Sequence, residues 1–389
     1  MDVILFYKSL TKAGGAERLL LNQYYWLKKN KYSVKIVCFD FKNNLFLTEG
    51  EIIQPDDIIV FRGPWLLSIL KLLIYLLNNK AEIIVSSGVK EIFITSLIAR
   101  KKYNLLLHHP LFMTVNETDK FSLFLKNKFK IMCESNYGAR IFHDQMKSFT
   151  FFDYIRINLK ACISIPSIKF AKIIFVLSEY SQYEKSYLFN KESIVCRGAI
   201  KKDILSKMSF EKKQKDVLLC VSRLEDDKRI DILIKAFSKL LDIYPNKKLI
   251  ICGTGSSEDT LKDLTKRLGI EKNVNFKGFV SDNEMESLNK LAYAFISLDW
   301  ADYKITLFEA LCHSQRIIVS TETSCINELE DLNHMIRVEP NAESAFEGLV
   351  KIFSSESKAD YVFLKRFLDK YTWESYNTNL FKHVFQSNH

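Results

Sequence analysis

Arg223 and Lys228 stand in V-S-R-L-E-D-D-K-R, between an apolar run and a segment whose apolar residues, Ile230, Leu233, Ile234 and Phe237, recur at helical spacing. An arginine fork and a lysine point charge at the carboxyl end of a strand suit a diphosphate, although a solvated surface can carry the same letters. Further on, I-I-C-G-T-G-S puts Gly253 and Gly255 after a second apolar run, where a plain turn and a close backbone approach to a ligand are both open. Near the start, T-K-A-G-G-A-E-R (11–18) places Gly14 and Gly15 between a strand end and a helix start. Backbone N–H groups and the helix dipole could meet a phosphate there, or the pair could form a turn without ligand. Glu309 lies in a mostly apolar helical stretch, where a carboxylate needs donors. A ribose diol would supply two, and a salt bridge to a neighbouring helix is the alternative.

These residues need a frame, and the chain supplies one. Short β-like runs alternate with helical patterns from end to end, which predicts an α/β architecture on parallel sheets. Strands are expected at 3–7, 33–39, 57–61, 82–86, 103–107, 172–177 and 193–196. After a charged stretch at 207–216, read as a linker, they resume at 217–222, 248–252, 273–277, 294–298, 315–320 and 335–338. Two doubly wound, Rossmann-like domains follow, 1–206 and 207–370, with 371–389 as a C-terminal helix crossing back to the first. Ligands of such sheets sit at the carboxyl ends of the strands, where the residues above fall.

The 389 residues carry only 12 glycines, against the usual ~7%, so the retained Gly-Gly and Gly-x-Gly act as pointers. The net charge of +10 favours anionic partners, among them nucleotide phosphates, acidic lipid surfaces and nucleic acid. Eight dispersed cysteines without a C-x-x-C argue against a zinc site or disulfide framework and fit a reducing compartment. The opening M-D-V-I-L-F-Y-K reads as a first strand rather than a signal peptide. The most apolar segment, 65–77, is interrupted by Ser68 and Lys71 and is shorter than the ~20 residues of a membrane span; it is expected as a buried amphipathic helix. Residues 120–172 hold ten Lys and Arg against three Asp and Glu, with eight phenylalanines. They fit ordinary helices with a solvated basic face, or a surface that meets an anionic membrane or a lipid-linked acceptor.

In combination the motifs resemble the family 4 retaining glycosyltransferases of the GT-B fold, two Rossmann-like domains facing across a cleft. The resemblance rests on G-G-A-E-R, on S-R-L followed by Lys228 and I-D-I-L-I-K-A-F, and on G-T-G. It continues through L-G-I at 268–270, V-N-F-K-G-F-V at 274–280 and F-E-A-L-C, and it spans nearly the whole chain. It implies that Gly15 lies beneath the donor diphosphate, which Arg223 and Lys228 bind. The backbone of Val280 would contact the nucleobase, Glu309 would hold the ribose hydroxyls, and the Ile305 and Thr306 backbone would lie by the phosphates. His109, with His108 as a rival register, matches a histidine near the donor sugar, where a neutral imidazole could orient a hydroxyl; a core histidine is equally open.

The departures are specific. Eight residues before Glu309 the family usually has a glutamate that contacts the transferred sugar; here stands Ala301, with Asp302 next door. Tyr303-Lys304 replaces the usual glycine, so a lysine would lie beside the sugar phosphate or point to solvent. S-C-I-N-E at 324–328 stands where Gly-Gly-x-Pro-Glu is common. The expected protein is therefore a cytoplasmic glycosyltransferase, possible at a membrane periphery. It would take a nucleotide-sugar donor and a glycan, lipid-linked or protein-linked acceptor, without cofactor or metal. The rivals are a non-catalytic GT-B scaffold, motivated by Ala301, and a nucleic-acid glucosyltransferase, motivated by charge alone; nucleic acid is not the expected partner.

Overall fold

The computed structural model describes residues 2–11, 15–42, 53–79, 83–87, 103–107, 167–206, 208, 215–313, 316–323, 335–354 and 361–386. His108, His109, Gly14, residues 324–328, nearly all of 120–172 and most of the 207–216 stretch lie outside them. The chain divides into two compact units. The first holds the described residues through Gly198 together with the C-terminal helix Trp373–Gln386; the second holds Ala199–Thr372.

In the first unit the order is β1 (Asp2–Tyr7), β2 (Ser9–Leu10), α1 (Gly15–Lys29), β3 (Ser33–Cys38), β4 (Asp40–Phe41), β5 (Ile58–Val60), α2 (Trp65–Asn78), β6 (Ile83–Ser87), β7 (Tyr103–Leu107), β8 (Ile174–Val176), α3 (Glu179–Phe189) and β9 (Ile194–Val195). Among the described residues seven strands form one sheet in the order β5-β3-β1-β6-β7-β8-β9, and β2 pairs with β4 apart from it. Every pairing is parallel, as the βα alternation predicts. Val3, Leu5, Ile36, Val37, Ile83 and Phe175 are buried in the strands, each contributing on the order of 1.5–3 kcal/mol.

The C-terminal helix completes this core. The Gln23 amide donates to Tyr376 Oη at 2.9 Å, and the Trp26 ring stacks on Phe381 at 5.1 Å between centroids. Gly198 lets the helix come close, because a Cβ there would lie 2.7 Å from the Tyr376 Cβ and 2.8 Å from the Trp373 ring.

Helix α2 departs from the expected burial. Only Ser68, Ile69 and Leu72 are buried, while Trp65, Leu66, Leu67, Leu70, Ile74 and Leu77 are exposed, Leu66 at 71% and Leu77 at 61%. The reason is geometric: a helix packed on one side buries one stripe, and a helix apolar all round leaves the remainder outward.

The second unit contains α4 (Lys202–Ser206), β10 (Val217–Val221), α5 (Ile230–Ile243), β11 (Lys248–Cys252), α6 (Glu258–Arg267), β12 (Val274–Gly278), α7 (Asp282–Leu291), β13 (Ala294–Ser297), α8 (Ile305–Cys312), β14 (Arg316–Ser320), β15 (Met335–Val338), α9 (Ala342–Ser354) and α10 (Tyr361–Asp369). Its six described strands, all parallel, run β12-β11-β10-β13-β14-β15. Each face carries its own core. Leu218, Cys220, Leu249, Ile251 and Ile296 meet Ile234, Phe237 and Leu349 on one side, while Phe295, Ile317 and Val319 meet Leu307, Leu311 and Leu364 on the other. This two-sided burial is why β10, β11, β13 and β14 read as continuous apolar runs rather than alternating ones.

Among the described residues no helix is long and apolar enough to cross a membrane.

Candidate functional site

The strand order of the second unit reverses between β10 and β13. Loops leaving these neighbours at their carboxyl ends diverge to opposite faces and open a crevice, the usual ligand position of a doubly wound sheet. Arg223 and Lys228 follow β10; Asp302, Lys304, Ile305 and Thr306 follow β13. The sequence separates these groups by some seventy residues, and the topology brings their loops to one edge.

The floor of this edge is backbone laid on backbone. Leu224 N–H donates to the Thr254 carbonyl at 3.0 Å, Ser257 N–H to the Leu224 carbonyl at 2.9 Å, and Gly253 N–H to the Gly278 carbonyl at 2.7 Å. The Gly-x-Gly is thereby explained. A Cβ on Gly253 would stand 1.9 Å from the Ser222 carbonyl oxygen at a φ of +131°, and one on Gly255 would stand 2.2 Å from that of Leu224. Arg223, exposed, rises from this stitched loop. Val280, just beyond β12, packs with Val217, Leu219, Ile250 and Leu288.

At the other side of the switch point lies a residue that the sequence pattern does not single out. Asp299, two residues beyond the end of β13, has a side chain only 5% exposed and accepts from Ser297 Oγ at 2.6 Å. Lys228 Nζ stands 3.0 Å from its Oδ2, and Lys304 Nζ donates to its Oδ1 and to Ser297. Burial alone would push the Asp299 carboxyl up, but the Lys304 and Lys228 charges outweigh it and hold it down at about 2. Burial likewise works against a charge on Lys228, and Asp299 with Asp227, 3.1 Å away, reverses the balance and raises its pKa. Lys304 therefore does not point to solvent; the carboxylate ties it to Lys228. The available signal is an aspartate two residues after a wholly buried strand, a position that demands partners.

Lys304 is also the N-cap of α8, and its side chain makes no capping bond to the helix. The first N–H groups of α8, on Ile305 and Thr306, are the kind of donors that favour an anion. Glu309 sits one turn further on, half-buried. Ala301 is buried and bridges Thr323 in parallel register, and Asp302 beside it is buried as well. Arg229, in left-handed conformation between the Lys228 turn and α5, pairs with Glu322 at 2.7 Å and donates to the Leu298 carbonyl at 3.2 Å. It thus ties the β10 and β14 loops to β13.

In the first unit, Gly15 opens α1 beyond the carboxyl end of β1, at the point where that sheet's order also reverses, between β1 and β6. Tyr7 donates to Glu17 in the first turn of α1 at 3.2 Å. Among the described residues no group of three or more His, Cys, Asp or Glu side chains is arranged to hold a metal ion.

Comparison with known proteins follows the same division. Residues 201–362 match the family model described as Glycosyl transferases group 1. A Methanocaldococcus jannaschii protein described as an uncharacterized glycosyltransferase is 30% identical over 164 residues, 41% of this chain and 42% of that one. The Streptococcus pneumoniae alpha-monoglucosyldiacylglycerol synthase is 28% identical over 131 residues, 33% of this chain and 30% of that one. The matches therefore span less than half the length of these curated relatives. The solved structure of the Anabaena protein Alr3699/HepE in complex with UDP aligns over 99% of this chain and 100% of that one, with a TM-score of 0.69 at 15% identity. That likeness is one of fold, and it extends through both units.

Proposed function

We propose that this chain, a group 1 glycosyltransferase through residues 201–362 on a GT-B fold, moves a sugar from a nucleotide-sugar donor to an acceptor hydroxyl with retention of anomeric configuration, as in family 4. The bond from the anomeric carbon to the diphosphate oxygen breaks, the acceptor oxygen takes its place, and the acceptor proton leaves with the diphosphate. What carries the reading is the switch-point arrangement: Arg223 exposed above the Gly253 loop, and Lys228 and Lys304 gathered on Asp299 beside the α8 N-terminus. Cations and helix N–H groups fixed in advance stabilise charge as it develops on a departing diphosphate. In this reading the Ile305 and Thr306 backbone adds to that set, Glu309 holds the ribose, and the Val280 backbone meets the base. Asp302 is the sugar-side acid nearest to Ala301. Gly14, Gly15 and His109 keep the donor and sugar contacts that the resemblance gives them.

Thermal unfolding of the full chain against UDP, GDP, ADP and their sugar conjugates tests this. A ligand at ~100 times its Kd adds ~2.7 kcal/mol, a rise of a few degrees. One base class should raise Tm, and its sugar conjugate should raise it further. No shift across the panel removes the donor assignment. A non-catalytic scaffold, favoured by Ala301, would bind the donor without turnover by the single chain.

A lipid-linked acceptor at an anionic membrane is the acceptor class we favour, because α2 presents a continuous apolar face with Arg62 and Lys71 exposed beside it and no acid within the helix. The streptococcal relative is, by name, a synthase of a glucosyl diacylglycerol, which fits. The chain should co-sediment with phosphatidylglycerol vesicles at low salt, and Leu66→Ser/Leu70→Ser/Leu77→Ser should cut binding about tenfold or more. Wild-type protein left wholly in the supernatant counts against the reading.

A further inference from the structure

Lys228 and Lys304 come from opposite sides of the switch point and meet on one carboxylate, each on its own oxygen. Two ammonium groups held that close repel, and both are partly withdrawn from water, with side chains 19% and 12% exposed. We propose that Asp299 is a positioning residue, a permanent counter-ion that keeps the two lysines charged and side by side as a clamp for the donor diphosphate. The inference rests on the donor reading above and assigns to Asp299 no contact with substrate.

The neighbours divide into permanent and exchangeable partners. Asp299 is buried and fixed by Ser297 Oγ at 2.6 Å. Asp227 lies 3.1 Å from Lys228 with a side chain 33% exposed, free to turn outward when a diphosphate arrives. Among the described residues, other charged groups of these loops are already engaged. Arg229 pairs with Glu322, Asp226 accepts from Ser257 at 2.5 Å, and Glu225 accepts from Ser256 at 2.6 Å. Arg223, exposed, lies near Glu225. The Cys220 thiol below is pushed up to about 12, mainly by burial, and stays neutral. With Asp299 removed, burial and the neighbouring Lys304 ammonium would both favour loss of a proton from Lys228.

The two aspartates therefore make opposite predictions from the same change of charge. An anion site ordinarily gains affinity when a nearby carboxylate is neutralised, and Asp227→Asn should bind UDP or GDP about threefold more tightly. Asp299→Asn should bind at least tenfold more weakly at pH 7.5, and weaker still at pH 9.5, where the wild type holds its affinity. If Asp299→Asn binds more tightly, the carboxylate is a mere competitor for the lysines and the proposal fails.

A readout without ligand accompanies this: reactivity of Lys228 and Lys304 toward acetic anhydride from pH 7 to 11, followed by mass spectrometry. In Asp299→Asn the half-reaction pH of Lys228 should fall below its wild-type value, because Asp299 is the leading group that raises it. In Lys304→Met, Lys228 should titrate higher than in the wild type, which keeps the test decisive if the asparagine variant misfolds. Unchanged titration in either variant overturns the proposal. A titration shift in a protein that neither UDP nor GDP protects from labelling leaves Asp299 its role toward the lysines and removes the diphosphate reading instead.

Discussion

If the proposed donor reading holds, Arg223→Ala should lose about 10²–10³-fold in kcat for sugar transfer, the usual effect of removing one preorganised donor from a developing oxyanion, while Tm moves little. The separation follows from where the side chain stands. Arg223 is exposed at the lip of the β10 loop, and surface substitutions away from structural features stay within about 0.5 kcal/mol. Lys228→Ala should lose as much activity but also some stability, since its removal leaves Asp299 with Lys304 as its remaining cation. Steady-state kinetics and thermal unfolding on both variants check the pair. Near-normal turnover in both would remove the diphosphate assignment.

Gly253→Ala is the more damaging change, although it adds a single methyl group. The new Cβ would stand 1.9 Å from the Ser222 carbonyl oxygen and 2.9 Å from its carbon, at a φ of +131°. Backbone strain of order 1–3 kcal/mol and an overpacking cost of similar size combine to about 2–6 kcal/mol, a large share of a domain stability of about 5–15 kcal/mol. Gly269→Ala supplies the control. Its φ of +67° is also left-handed, but nothing lies within 4 Å of the added carbon, so about 1–2 kcal/mol is expected. Hydrogen exchange over residues 217–224 and 248–257 would report the β10 and β11 loops directly. Equal effects from the two substitutions would mean that crowding against Ser222 is unimportant.

Much of this frame is legible from sequence because it is local. β10, β11, β13 and β14 are short, mainly apolar runs, and α5 and α9 carry clear apolar stripes, so element type and order follow largely from periodicity. The pairing order does not. That β13 rather than β12 lies beside β10 is a property of the folded sheet, and it alone makes neighbours of the loops after Val221 and Ser297. Asp299 escapes a sequence reading for the same reason. Ala301 and Lys304 stand out as departures from a familiar pattern, whereas the partner that explains Lys304 lies five residues before it. The spacing of Gly253 and Gly255 points to a backbone role, but the crowding comes from Ser222 and Leu224, some thirty residues away. Helix α2 shows the opposite limit: an apolar composition announces that a surface avoids water and is silent on what covers it.

The contact between Gln23 and Tyr376 joins residues 353 positions apart. At ~5–20 residues per second of synthesis, roughly 20–70 s separate the emergence of the two partners. Among the described residues the second unit is contiguous from Ala199 to Thr372 and is synthesised wholly within that interval. The first cannot close until its final helix leaves the ribosome, and until then α1 waits with Trp26 and Gln23 uncovered. The first unit, begun first, is thus the last to have all its parts, and a chain truncated before Trp373 should engage chaperones through its first unit.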